Sequence, residues 1–222
     1  ANLLRLQPGE SIASILSVRE FEEDKFVMVA TERGIVKKTS LMAYSKPRQG
    51  GIIGLTIDKG DRVIGAELCD GESDILLATE KGFSIRFSEK EVRPIGRTGR
   101  GVRGVRLKKE DRVVGAEIVQ PGNKFLTVTS KGYGKRTRME EYPVQGRGGL
   151  GVMTIRCNEK TGTVVGVQQV EETDQLLVIT SNGNIVRMRV NEISVIGRNT
   201  QGVRLVGIGE GNQVVSIEKL VE

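Results

Sequence analysis

A five-residue phrase recurs four times along the chain, and its period limits the fold more than any other feature. Ala30-Thr31-Glu32-Arg33-Gly34, Ala78-Thr79-Glu80-Lys81-Gly82, Val128-Thr129-Ser130-Lys131-Gly132 and Ile179-Thr180-Ser181-Asn182-Gly183 align, with glycine steps of 48, 50 and 51 residues. A second register, Gly51-Ile52, Gly101-Val102, Gly151-Val152 and Gly202-Val203, steps by 50, 50 and 51. A third runs through Ser14, Gly65, Gly115, Gly166 and Ser216. Self-similarity at a fixed period means one supersecondary unit stacked on copies of itself. The phase gives repeats over 10–59, 60–109, 110–160 and 161–210, with edge strands over 1–9 and 211–222.

Inside each repeat the local pattern is β. Runs such as Arg62–Leu68, Ile75–Thr79, Phe83–Phe87 and Gly101–Leu107 are bounded by Gly, Asp, Ser and Pro, which marks strands between turns. Phe83-Ser84-Ile85-Arg86-Phe87 and Val186-Arg187-Met188-Arg189-Val190 alternate apolar and polar residues, the period of a strand. The Arg33-Gly34, Lys81-Gly82, Lys131-Gly132 and Asn182-Gly183 pairs suit hairpin turns, where Gly takes positive φ at little cost. Four strands per repeat of this length predict an all-β, propeller-like arrangement of four-stranded blades. A β-solenoid shares the period, but strand runs separated by hairpin turns favour blades.

Composition closes off most chemistry. The chain of 222 residues has no histidine, so no Ser-His-Asp or Cys-His unit and no His-ligated zinc can form. Two cysteines, Cys69 and Cys157, cannot make a four-ligand zinc site. They are expected to be buried strand thiols in a reducing compartment. No apolar run approaches the roughly 20 residues of a membrane-spanning helix. The start, Ala1-Asn2-Leu3-Leu4-Arg5, lacks the layout of a signal peptide and reads as a cut inside a longer protein. Gly99-Arg100-Gly101-Val102-Arg103-Gly104 and Gly146-Arg147-Gly148-Gly149-Leu150-Gly151 match G-x-G-x-x-G, but no helix follows either one. A dinucleotide site needs that helix. No cofactor and no metal are expected. Acidic clusters at Glu22-Glu23-Asp24, Glu140-Glu141 and Glu171-Glu172-Asp174 fall in predicted polar loops. Most aromatic residues fall in apolar strand phase, which leaves few platforms for stacking bases.

Charge locates a partner. The net charge is +6, and the two central repeats carry +3 each against +1 for the first and −1 for the fourth. Four residues past each hairpin glycine stands a base: Lys38, Arg86, Arg136 and Arg187. Further basic residues precede the Gly-Ile/Val marker: Lys46 and Arg48, then Arg93, Arg97 and Arg100, then Arg147, then Arg198. Arg103, Arg106, Arg156 and Arg204 follow it. Basic positions that recur with the blade period are expected to form a band along the rim, suited to the backbone of a duplex. The competing reading is a propeller-type protein-interaction scaffold, supported by the acidic fourth repeat and the loops Glu20–Lys25 and Glu171–Asp174.

Several longer strings resemble the C-terminal domain of the DNA gyrase A subunit. They are Gly34-Ile35-Val36-Lys37-Lys38-Thr39, Thr98 to Gly104, Tyr133-Gly134-Lys135-Arg136-Thr137, Glu141-Tyr142-Pro143, Gln145 to Gly151, and Ile196 to Val203. The equivalent domain of the topoisomerase IV A subunit is the near alternative. The resemblance implies a single β-pinwheel domain fragment over 1–222, with strands exchanged between neighbouring blades. It implies a bacterial, cytoplasmic, nucleoid-associated domain, monomeric as a fragment. Its partners would be double-stranded DNA, the remainder of the gyrase A subunit, and the gyrase B subunit. It also implies that duplex DNA bends around the basic rim and fixes the sign of a DNA crossing for negative supercoiling by the ATP-dependent parent enzyme. The family's cleavage tyrosine follows an arginine. Tyr44, Tyr133 and Tyr142 do not, so this portion is expected to be non-catalytic. The family's wrapping motif reads Gln-Arg-Arg-Gly-Gly-Lys/Arg-Gly. Its nearest match, Gln145-Gly146-Arg147-Gly148-Gly149-Leu150-Gly151, is degenerate, and Lys46-Pro47-Arg48-Gln49-Gly50-Gly51 is a looser echo. The expected DNA-contacting set is Lys37, Lys38, Lys46, Arg48, Arg86, Arg93, Arg97, Arg100, Arg103, Lys135, Arg136, Arg138, Arg147, Arg187, Arg198 and Arg204.

Overall fold

The structure, a computed structural model, describes residue 6 and residues 9–46, 48 and 51–220. Most of the expected edge strand at 1–9, and three residues of the motif echo at 46–51, lie outside the described residues. All regular elements described are strands or short 3-10 turns. The first hairpin joins β1 (Phe26–Thr31) to β2 (Ile35–Ser40). The second repeat adds β3 (Val63–Cys69), β4 (Asp74–Thr79), β5 (Phe83–Ser88) and the two-residue β6 (Val102–Arg103). The third contributes β7 (Val113–Ile118), β8 (Lys124–Thr129), β9 (Tyr133–Arg138) and β10 (Val152–Met153). The fourth contributes β11 (Val164–Val170), β12 (Gln175–Thr180), β13 (Ile185–Arg189) and β14 (Val203–Arg204), and β15 (Val214–Leu220) follows.

The strands do not stay within their own repeat. The sheet orders are β3-β1-β2-β6, β10-β5-β4-β7, β11-β8-β9-β14 and β13-β12-β15. Each four-stranded blade takes its central hairpin from one repeat and both flanking strands from the next. This is the strand exchange that the resemblance implies. Neighbouring blades also touch through β3, β7, β11 and β15, which pack on one another in that order. The expected strand Gly101–Leu107 is reduced to β6, because the N–H groups of Gly104 and Val105 turn to the carbonyl of Gly34.

The repeated glycines serve two needs at once. Gly34, Gly82, Gly132 and Gly183 all have φ between +76° and +83°, a region that other residues enter at a cost. A Cβ on Gly132 would also stand 2.5 Å from the Val206 carbonyl oxygen, and one on Gly82 2.3 Å from that of Ile155. The hairpin must therefore be bare where the following repeat crosses it. At Gly183 the space is open.

Packing lies between blades. Ile75 and Leu77 on β4 meet Met28, Ala30 and Val36 of the first blade, while Leu76 and Ala78 meet Phe125, Tyr142 and Ile155 on the other side. Leu126 and Val128 meet Leu176, Val178 and Ile217 in the same way. A central strand buried on both faces reads as an unbroken apolar run, as Asp-Ile-Leu-Leu-Ala-Thr at 74–79 does. Each fully buried Leu or Ile contributes about 1.5–3 kcal/mol of apolar transfer.

Among the described residues, the strands where blades meet have one edge without a ladder partner, and side chains supply acceptors there. Glu67 Oε2 accepts from the Ile118 N–H at 2.8 Å. Glu117, one repeat later, accepts from the Gln169 N–H and side-chain amide, both at 3.2 Å. Burial first, then the charge of Glu117, pushes the Glu67 carboxyl up to about 8 from an ordinary 4.5. The folded state thus holds a proton that the unfolded chain releases, so this group's contribution to stability is lost as pH rises through 8. Glu67→Gln keeps the acceptor without the charge. Its melting temperature is expected to match wild type near pH 5 and to exceed it at pH 8–9; parallel curves across that range would contradict the assignment.

Candidate nucleic-acid interface

The base that recurs four residues after each hairpin glycine fastens blades together in three of its four occurrences. Lys38 Nζ donates to the Glu89 carbonyl at 2.9 Å and faces the Glu89 carboxylate at 3.9 Å. Arg86 donates to the carbonyls of Met139 and Tyr142, and pairs with Asp74 at 2.8 Å. Arg136 donates to the carbonyls of Ile193 and Asn191, and to Glu172 at 2.7 Å. In each case the carbonyl acceptors lie in or directly after the 3-10 turn that follows the next blade's hairpin, Glu89–Glu91, Met139–Glu141 or Val190–Glu192. Lys38 and Arg136 are buried and Arg86 is half-buried, so the structure moves these three from the expected DNA face to the blade contacts. Glu172, expected in a solvated loop, bridges Lys124 and Arg136, and those bonds hold its carboxyl at about 2.

Lys37 and Lys135 are also interior, at 1% and 0% exposure. Lys37 Nζ donates to the carbonyls of Gly54 and Arg97. Lys135 Nζ donates to Gly197 and Arg198, both at 2.5 Å, and to Thr200 Oγ1 at 3.0 Å. Neither ammonium can reach a phosphate in this arrangement. Both stand beneath loops that carry other arginines.

Those loops form the outer junctions between blades, and the junction is built three times. Arg97 Nη1 donates to the Ile53 carbonyl at 2.7 Å, Arg147 to that of Arg103 at 3.1 Å, and Arg198 to that of Met153 at 2.9 Å. Beside each, a backbone bond crosses the same way: Thr56 N–H to Gly99, Arg106 N–H to Gly149, and Arg156 N–H to Thr200. The degenerate motif Gln145 to Gly151 is the middle junction. Gln145 N–H bonds to Arg86, Gly148 N–H to Gly104 at 2.6 Å, and Arg147 N–H to the Glu91 carboxylate at 3.0 Å. Gly151, at φ +73°, lies so close to β5 that a Cβ would stand 2.1 Å from the Ser84 oxygen. Leu150, at a position basic in the family motif, is exposed, as is Gly146.

Around the junctions the remaining expected residues are at the surface. Lys46, Arg48, Arg93, Arg100, Arg103, Arg138, Arg147, Arg187 and Arg204 are exposed, and Arg97 and Arg198 are half-buried. Arg100 is held by Asp58, which any phosphate would have to displace. Arg204 lies over the Tyr133 ring at 5.6 Å. Arg106 and Arg156 are exposed at equivalent places in two junctions. Their spacing of 50 residues is the signal that marks them as equivalent. The result is an array of guanidinium groups repeated from blade to blade on bent glycine loops. Guanidinium groups in such an array can pair with phosphate oxygens, contacts that carry no base information. Among the described residues no group of three acidic or cysteine side chains could hold a metal ion, and no helix is long and apolar enough to cross a membrane.

The family described as DNA gyrase C-terminal domain, beta-propeller, matches residues 25–70, 73–120, 123–171 and 174–220. The DNA gyrase A subunit of Buchnera aphidicola is 56% identical over 221 residues, covering 100% of this chain and 27% of that protein. Its Salmonella typhimurium counterpart is 46% identical over 221 residues, with 100% and 25% covered. The chain thus spans about a quarter of the length of the curated relatives it matches. A solved DNA gyrase A C-terminal domain superposes with a TM-score of 0.88 at 24% identity, covering 99% of this chain and 74% of that one. The C-terminal domain of DNA topoisomerase IV superposes with a TM-score of 0.86 at 25% identity, with 91% and 64% covered.

Proposed function

The chain belongs to the DNA gyrase C-terminal domain family, and from that membership we propose that it binds and bends duplex DNA for a type II topoisomerase without carrying out chemistry itself. The observation that carries this reading is the threefold junction, where Arg97, Arg147 and Arg198 make the same crossing contact and exposed arginines surround it. A duplex following successive junctions would be held by its phosphates and would curve with the blades. In the parent enzyme this bend would fix the sign of a DNA crossing. Cleavage and ATP hydrolysis would then belong to the rest of the gyrase A subunit and to the gyrase B subunit, in the bacterial nucleoid. The scaffold reading loses one of its supports, because Glu172 and Asp174 are bonded within the protein to Lys124, Arg136 and Lys219.

Anisotropy titrations with two duplexes of unrelated sequence, each about 40 bp, test the proposal, since backbone contact carries no sequence information. Equal affinities are expected. No binding at low salt, or a strong preference between the two duplexes, would count against it.

A further inference from the structure

We infer that Lys37 and Lys135 are positioning residues for DNA contact: each buried ammonium holds an arginine-bearing junction loop in its binding shape from beneath. The inference rests on the DNA-binding reading above. Lys135 satisfies all three of its donors on one loop, at the carbonyls of Gly197 and Arg198 and the hydroxyl of Thr200. Lys37 bonds in the same way to the carbonyls of Gly54 and Arg97, drawing together two segments that meet at the first junction. The carbonyls of Arg97 and Arg198 belong to the very residues whose side chains tie the junctions across blades. A carbonyl oxygen is partly negative and repels phosphate. Turned inward onto a cation, it leaves the loop surface to N–H groups and guanidinium.

Stability alone does not account for these lysines. Burial lowers both to about 8 from an ordinary 10.5, so each charge is kept against a desolvation cost. The fold itself accepts an apolar residue here. Ile85 occupies the equivalent place in the second blade, beneath the loop Gly146 to Gly151, with its Cδ1 3.5 Å from where a Cβ on Gly149 would stand. Val186 occupies it in the fourth. The second-blade loop is tied by Glu91, which accepts from the Arg147 N–H and Nε–H through its carboxylate and carbonyl. The loop above Lys135 has the matching carboxylate tie, Glu141 accepting from the Arg198 N–H at 3.1 Å, and there the ammonium is added to it.

The test compares wild type, Lys37→Ile, Lys135→Ile and the double variant. Limited trypsin digestion reads the loops without DNA. Cleavage after Arg198 is expected to accelerate at least about tenfold in Lys135→Ile, and after Arg97 in Lys37→Ile, as local opening becomes easier. Cleavage after Arg147 should stay at the wild-type rate. Binding to a duplex at several salt concentrations then reads function. The double variant is expected to lose about 1.8 from the slope of log K against log salt, two phosphate contacts at about 0.9 each. If an Ile variant does not fold, Lys135→Met and Lys37→Met, which keep the unbranched stem, replace it. A wild-type chain that fails to bind DNA overturns the DNA reading. A wild type that binds, beside a folded double variant with the same slope or the same tryptic pattern, overturns the positioning role.

Discussion

Arg136→Ala is expected to lower folding stability by about 3–4 kcal/mol and to leave the salt slope of duplex binding unchanged. Its guanidinium is buried and ties β9 to the next blade through the Ile193 and Asn191 carbonyls and Glu172. Truncation strands two carbonyls and removes a partner from Glu172, so it carries the penalty of buried groups left unpaired. The same substitution at Arg187, one repeat later on the exposed β13, is expected to cost no more than about 0.5 kcal/mol. Urea denaturation of the two variants checks the difference. An Arg136→Ala protein that unfolds like wild type but binds DNA more weakly would return this residue to the DNA face.

The converse holds for the exposed arginines. The triple variant Arg103→Gln, Arg106→Gln, Arg156→Gln is expected to keep its melting temperature within about two degrees. It should lose roughly a hundredfold in duplex affinity at low salt, about 1 kcal/mol for each phosphate contact removed. Its slope of log K against log salt should become shallower by about 2.7, three contacts at about 0.9 each. The loss should be the same for unrelated sequences, because none of the three reads a base. Arg103 and Arg106 flank the middle junction, and Arg156 repeats the place of Arg106 in the next. A triple variant with wild-type affinity would move the DNA path off the junctions. A loss confined to one sequence would mean base readout.

These opposite expectations explain how far the amino-acid sequence could be read. The period, the hairpin glycines and the β character were legible because backbone geometry imposes them at every repeat. Strand exchange was not legible from the residues, since β3 pairs with β1 across the turn, strand and loop of residues 32–62, and came only with the family resemblance. Lys38, Arg86 and Arg136, expected to contact DNA, lie instead at blade contacts, and the physical reason is plain. A contact between blades recurs with the same period as a feature of the rim, so periodicity cannot separate them. Adjacent Lys37 and Lys38 carry the clue that could have helped. Neighbours on a strand point to opposite faces, and here both faces are packed, so neither side chain could be a surface charge. Arg103, Arg106, Arg156 and Arg204 differ because they lie on or just beyond the outermost two-residue strands, where one side remains open. Asp58 and Glu91 show the remaining gap, since only the structure brings them to Arg100 and Arg147.

The most direct measurement is the affinity of the wild-type chain for one duplex at a series of salt concentrations. Contact at three successive junctions predicts a straight line of log K against log salt, with a slope of about −2.7 or steeper. A slope near zero, or no binding at the lowest salt, would contradict a domain that holds DNA by its phosphates.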